Sequence, residues 1–510
     1  MSGAAPMDRE LELLAAAGLG VIDRSVVRDG ASTFFLVRTG GGGTVLGVRG
    51  DPAGLTGSPH EPSGTLLCQL TSDNARALRA RLPWLRPTPL GLATSAGFGD
   101  RLGLATPGHV RSLRAVCKSE AAIAPIFAQQ SVRENARTGR TPQQVVDDAT
   151  WGLVEEGWRA PWGADADHLK TPEDVEAFAA AGYTFFTIDP GEHVDDEAHT
   201  APRHRLENKL GALPWDTLED SLPDLEARYL ARPIPLNGGP FLFEREDLWR
   251  AAAKYGRAVA HTLTMYRHIL SRLGDGCFEL EVSVDETASP TRVAEHVYIA
   301  SELRRLDVRW VSLAPRFVGE FEKGVDYIGD LAVFKAEFAR HATVARALGP
   351  YKLSLHSGSD KFSIYPIAAE LAAGGPAGGP LVHLKTAGTS YLEALRVVAR
   401  VDRKLFCEIL GLARERYETD RATYHVSARL EKVPAGEALA DRELLGLLDD
   451  FDAREVLHVT FGSVLDALGE RLRESLRRNH EAYGEGLAAH FEKHLRPFVA
   501  EPSEGGTGRD

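Results

Sequence analysis

Residues 162–193, WGADADHLKTPEDVEAFAAAGYTFFTIDPGEH, decide the fold. A short run of small and apolar residues ends in Asp165, Asp167, His168 and Lys170. Thr171 then supplies a helix cap and Pro172 the first helical position, with apolar residues following at three- and four-residue spacing. A second apolar run ends in Asp189, Glu192 and His193. Short buried strands alternating with helices argue a parallel sheet.

The pattern extends in both directions. Comparable runs are RLGLATPG (101–108), PIFAQQS (125–131), FELEVSVDE (278–286), VRWVSLAPR (308–316), YKLSLHSGS (351–359) and PLVHLKTAG (380–388), making eight in all. TPQQVVDDATWGLVEEG opens a helix with Thr-Pro, and SPTRVAEHVYIASELRRL opens one with Ser-Pro. Eight such units predict a (β/α)8 TIM-type barrel over 96–390, with active residues at the C-terminal strand ends. The stretch from His193 to Cys277 is too long for one connection. It predicts a helical insertion over one mouth, about 194–250, after the fourth strand. The helix DLWRAAAKYGRAVAHTLTMYRHILSRLG then serves the barrel.

Residues 1–95 read as a small α+β extension. It holds a helix from Asp8, a glycine-hinged hairpin of STFFLVRT and GTVLGVRG, a helix near 72–81, and a Pro-rich linker over 83–91. Residues 391–500 read as a helical extension and 501–510 as a disordered tail.

Composition bounds the function. The 510 residues carry a net charge of −13, which disfavours nucleic acid. No stretch approaches a membrane span. The four cysteines are scattered, so a cytoplasmic protein is expected, with room for a homo-oligomer. No GxGxxG after a strand, Walker loop or GxSxG is present.

Polar residues gather at the predicted strand ends. Period-two alternation sends Glu281, Ser283 and Asp285 to one face of the fifth strand. An acidic row inside a barrel requires a metal, a substrate or paired Arg and Lys. His168 and His356, each beside small or acidic residues at a strand end, are the best metal-ligand candidates. Imidazole with carboxylate suits zinc, manganese, cobalt or nickel. The loop HSGSDKFSIYP can bring backbone N–H groups and Lys361 to an anion, and AQQSVRENARTGR offers Gln130 and Arg133 to hydroxyls and a carboxylate.

Two family resemblances follow from these segments. ADADHLK and LHSGS resemble the Asp-His strand and the His-containing glycine loop of metal-dependent class II aldolases, and FELEVSVDE resembles their acidic strand. That implies Asp167 as acid/base and His168 and His356 as ligands. VRWVSLAP lacks the histidine those aldolases carry there, so Glu281 or His383 would complete the set.

The second resemblance spans most of 96–470. FGDRLGLATPGH, FAQQSVREN, GADADHLKT, FFTIDPGEHVDD, EVSVDET, YIGD and LSLHSGSDKFSIYP, in that order, resemble the tagaturonate epimerase family. The resemblance implies reversible inversion of carbon 4 between tagaturonate and fructuronate, with a divalent metal and a small keto sugar acid as substrate. The resemblance leaves neutral ketohexoses such as fructose and tagatose open as further substrates.

Carbon 4 is not alpha to the carbonyl, so a retro-aldol route is expected. The metal, on His168, Glu281 and His356, would polarise the carbon-2 carbonyl. Asp167, with Asp285 second, would move the carbon-4 hydroxyl proton. Arg101, Gln130, Arg133, Lys170, Ser357, Ser359, Lys361 and Lys385 would hold the substrate. A class II-type aldolase and a non-catalytic aldolase-like scaffold are the alternatives.

Overall fold

The computed structural model describes residues 13–40, 42–117, 122–376 and 378–499. At its centre is a closed barrel of eight strands: β1 (Ser95–Gly99), β2 (Ala124–Ser131), β3 (Gly163–Leu169), β4 (Phe185–Ile188), β5 (Glu279–Val284), β6 (Ser312–Pro315), β7 (Lys352–Leu355) and β8 (Val382–Thr386). Every neighbouring pair is parallel, in chain order, and β8 closes onto β1.

The first strand is not RLGLATPG. It is SAGFG, just upstream, and residues 106–116 form the helix that follows. Small residues hid this strand from a search for apolar runs, yet they are what the site needs. A Cβ at Gly97 would overlap the Gln129 side-chain oxygen, so glycine makes room for that amide inside the barrel.

The barrel interior is polar rather than packed with branched aliphatics. Ser95, Gln129, Asp165, Thr187, Glu281, Lys352, His383 and Lys385 are all buried. Apolar strand residues such as Leu280, Val282 and Val284 join the core shared with the outer helices. Helices Pro142–Glu156 and Pro172–Ala181 begin at Thr141 and Thr171, whose hydroxyls accept from the third-position amides. Helix Val293–Arg305 starts later than Ser-Pro predicts. Arg292 is its cap, Ser289 accepts from the buried Lys254 ammonium at 2.9 Å, and the Thr291 amide donates to the Arg316 carbonyl.

The extension before the barrel is a six-stranded antiparallel sheet. Its hairpin of Ser32–Arg38 and Thr44–Arg49 pairs Phe34 with Val48 and Leu36 with Leu46. The unit docks on helix Pro142–Glu156. Arg79 reaches Asp147 at 2.6 Å and Thr150 at 2.7 Å, both buried. The helix predicted from Asp8 lies mostly outside the described residues, as does the 501–510 tail.

The insertion packs on the outside of the barrel. Arg228 bridges Asp220 and Glu302, and Arg305 donates to the Leu218 carbonyl, so its helices lie against helix Val293–Arg305. Asp196 of the insertion accepts from the Ala288 amide in the loop after β5, and Tyr424, His458 and Phe461 of the C-terminal extension reach the C-terminal mouth. No helix among the described residues is long and apolar enough to cross a membrane.

Candidate active site

Lys385 is the hub of the site. It rises from β8 and reaches across the barrel to Asp165 at 2.9 Å, Asp167 at 2.6 Å, Glu281 at 2.8 Å and the Thr187 hydroxyl at 2.6 Å. The acidic row is therefore matched by a buried lysine. Lys385 lines the pocket, where its ammonium already meets the barrel's own carboxylates and the Thr187 hydroxyl. Burial opposes the ammonium, but Asp165, Asp167 and Glu281 hold its pKa well above the ordinary value.

Above this hub stand two imidazoles, with ring centroids 5.1 Å apart. His168 sits at the end of β3 with φ +54°, a left-handed conformation unfavourable for a side chain of its size. Its Nδ1 faces Asp189 at 3.3 Å and its Nε2 faces Asp167 at 3.9 Å. His356 donates from Nε2 to Glu281 at 2.6 Å, leaving Nδ1 3.2 Å from Asp285 and 3.3 Å from the Ser283 hydroxyl. Ser283 in turn donates to Asp285.

Ligand atoms of His168, Asp285 and His356 lie within 4.8 Å of one another; His168, Asp189 and Glu286 form a second such group. Two imidazoles and a carboxylate suit zinc, manganese, cobalt or nickel, so the donor set fits a divalent ion. Glu281, expected as a ligand, lies outside both groups. Its Oε1 meets His356 Nε2 and Lys385, where it orients the ring, and its buried Oε2 has no hydrogen-bond partner among the described residues. Asp285, expected as acid/base, stands in its place.

The charges follow from these contacts. Burial works against a charged His168, but Asp167, the Asp189 hydrogen bond and Asp285 push its pKa up to about 10. Burial likewise opposes His356, yet Asp285 and Glu281 push it up to about 9 against Lys385. Burial would raise Asp167, and Lys385 with the two imidazoles holds it below the ordinary range. Asp165 is pushed up to about 7, chiefly by burial.

Both imidazoles are thus cationic at neutral pH in the metal-free chain and must lose protons to become ligands. Zinc uptake at pH 7 is expected to release protons, and zinc affinity to rise with pH; calorimetry in buffers of differing ionisation enthalpy measures both. The stability effect has the opposite sign. A histidine raised on folding stabilises fully below its unfolded value of about 6.5. That contribution fades as pH climbs through about 9 to 10, so the metal-free chain is expected to weaken over that range.

The remaining predicted residues divide. Arg101 lines the pocket, donating to Glu134 at 2.8 and 2.9 Å beneath the Phe461 ring, with Nη1 buried and unpartnered. Arg133, Ser357 and Ser359 also line it. Gln130 does not. It bonds Thr138 and Arg140 outside the barrel, while Gln129 faces in. An irregularity in β2 between Ile126 and Ala128 shifts the alternation and exchanges the two glutamines. Lys170 is half-exposed and pairs with Glu192 at 3.1 Å. Lys361 turns away and donates to the backbone carbonyls of Glu322, Ser359 and Val325.

Three contributors carry no motif. Lys323, from the loop after β6, donates to the Ser357 hydroxyl at 2.5 Å. His458 and Tyr424 come from the C-terminal extension. A Cβ at Gly388 would overlap the His458 ring, so that glycine admits it. Asp360, in the β7 loop, meets His490 at 2.6 Å and Arg454 at 3.0 Å, and its amide donates to His494 Nε2 at 2.9 Å. These contacts fix the loop to the last long helix.

Fold and site together define a class: a closed (β/α)8 barrel with two imidazoles and a ring of carboxylates gathered at its C-terminal mouth. Comparison with known proteins narrows it. The tagaturonate epimerase (UxaE) family profile matches residues 23–498. A Thermotoga maritima protein named tagaturonate/fructuronate epimerase is 42% identical over 485 residues, which is 94% of this chain and 96% of that protein. The native crystal structure of fructuronate-tagaturonate epimerase UxaE from Cohnella laeviribosi is 35% identical with a TM-score of 0.87, covering 96% of this chain and 99% of its own. A glycerol complex of that protein gives 34%, 0.88, 97% and 99%. The chain belongs to the tagaturonate epimerase family.

Proposed function

We propose that the protein inverts carbon 4 of a 2-keto hexuronate, interconverting D-tagaturonate and D-fructuronate by cleaving and re-forming the bond between carbons 3 and 4. The observation that carries this reading is the meeting of His168, Asp285 and His356 directly above Asp167 and Lys385, in a chain similar throughout to named tagaturonate/fructuronate epimerases.

His168, Asp285 and His356 would hold a divalent ion, which supplies Lewis-acid polarisation of the carbon-2 carbonyl when bound. Asp189 and Glu281 orient the two rings by occupying the nitrogen that faces away. Asp167 takes the carbon-4 hydroxyl proton and returns it after the aldehyde turns. Lys385 fixes that carboxylate and stabilises its charged form. Arg101, Gln129 and Ser359 present polar groups to the substrate hydroxyls. Tyr424 and His458 close the mouth against water.

Incubation of the protein with D-tagaturonate is expected to yield D-fructuronate with all six carbons retained. Chelation or His356→Ala is expected to remove that activity by about 100-fold or more. Accumulation of two three-carbon products would favour the aldolase, and activity indifferent to chelation would remove the metal from the account.

A further inference from the structure

Several cations around the mouth are paired with carboxylates. Arg101 pairs with Glu134 at 2.8 Å, Arg133 faces Glu286 at 3.6 Å, Arg316 faces Glu320 at 3.6 Å, and Lys385 serves three carboxylates. Lys323 has no carboxylate within ion-pair distance among the described residues; its ammonium is seen only against the Ser357 hydroxyl. Ser357 immediately follows His356 and holds φ +48°.

The loop carrying Lys323 is clamped on both sides. Lys361 donates to the Glu322 and Val325 carbonyls, Arg454 Nε donates to the Gly324 carbonyl at 2.6 Å, and Ser427 donates to the Glu322 carboxylate at 2.7 Å. A cation fixed in a partly desolvated pocket with no carboxylate in contact is better satisfied when an anion arrives. Burial depresses the Lys323 pKa, with Glu286 opposing and Arg133 adding to the effect. The substrate of the proposed reaction brings one such anion.

We propose that Lys323, with Ser357, grips the carboxylate of the keto sugar acid and tethers the carboxylate-bearing half while the bond between carbons 3 and 4 is open. This rests on the retro-aldol reading above. On cleavage, the carbon-4 hydroxyl proton passes to the protein base and carbon 4 becomes an aldehyde. The electron pair of the broken bond stays on the other half as an enediolate. Re-closure on the opposite face of carbon 4 reverses each transfer. The carboxylate lies on the aldehyde half, so holding it allows rotation about the C4–C5 bond and denies escape. Lys323 is in this sense what separates an epimerase from an aldolase.

The test compares wild type with K323M, K323Q and K323R on D-tagaturonate. K323M and K323Q are expected to raise KM by about 10- to 100-fold, the range of one charge-assisted hydrogen bond. They are also expected to release three-carbon products in a larger fraction of turnovers, with K323R restoring part of both. Inhibition by D-glycerate is expected to weaken relative to inhibition by neutral D-tagatose. A general packing defect would weaken both inhibitors together and leave the partition between epimerisation and cleavage unchanged, and that result overturns the proposal. Equal behaviour of K323R and K323Q also overturns it, because they differ in charge; if K323M fails to fold, this pair decides alone. Wild-type protein inactive on tagaturonate would instead sink the underlying functional reading, and the tether with it.

Discussion

Asp167→Asn is expected to lower turnover of the keto sugar acid by about 10²- to 10⁴-fold, the range for a positioned proton-transfer group. The fold is expected to survive, because Lys385 keeps Asp165, Glu281 and Thr187 as partners. Asparagine matches the shape of aspartate but cannot accept a proton from the carbon-4 hydroxyl. Metal content measured on the purified variant is expected to match wild type, since His168, Asp285 and His356 are untouched. A variant that loses its metal with its activity would assign Asp167 to the ligand set. Near-wild-type turnover would pass the proton to another carboxylate.

Lys385→Met has the larger structural consequence. The lysine is 3% exposed, and both Asp165 and Glu281 beneath it are fully buried. Its loss removes the one cation shared by the three carboxylates and leaves Asp165 with no ion-pair partner among the described residues. Removing one partner of a buried ionic network costs about 3–5 kcal/mol. Denaturant unfolding at neutral pH is expected to show a loss of that size. Adding Asp165→Asn or Glu281→Gln to Lys385→Met is expected to return part of it, because the repulsion falls with each charge removed. A single variant as stable as wild type would mean that the carboxylates share protons instead of relying on the lysine.

The fold was largely legible because strand–helix alternation needs only local signals. Thr171-Pro172 and Thr141-Pro142 mark helix starts whatever surrounds them. β1 escaped because Ser95–Gly99 is chosen for space inside the barrel, not for apolar burial. His168, His356 and Asp167 were legible as polar residues where buried strands end. Glu281 was legible as an inward acid, but which atom it meets depends on His356 two strands away around the barrel.

Gln129 could not be told from Gln130 without the irregularity in β2. Lys385 could not be assigned without knowing that β8 faces β3, β4 and β5 across the lumen. Lys323 carries no sequence signal. Its loop is positioned by Arg454 and Ser427, more than 100 residues away in the chain.

The central claim is that carbon 4 is inverted by opening a carbon–carbon bond and not by moving a proton on that carbon. Turnover of D-tagaturonate in deuterium oxide, read by proton NMR of the D-fructuronate formed, tests it most directly. The account predicts that the carbon-4 hydrogen is retained through inversion. Deuterium incorporated at carbon 4 would contradict it.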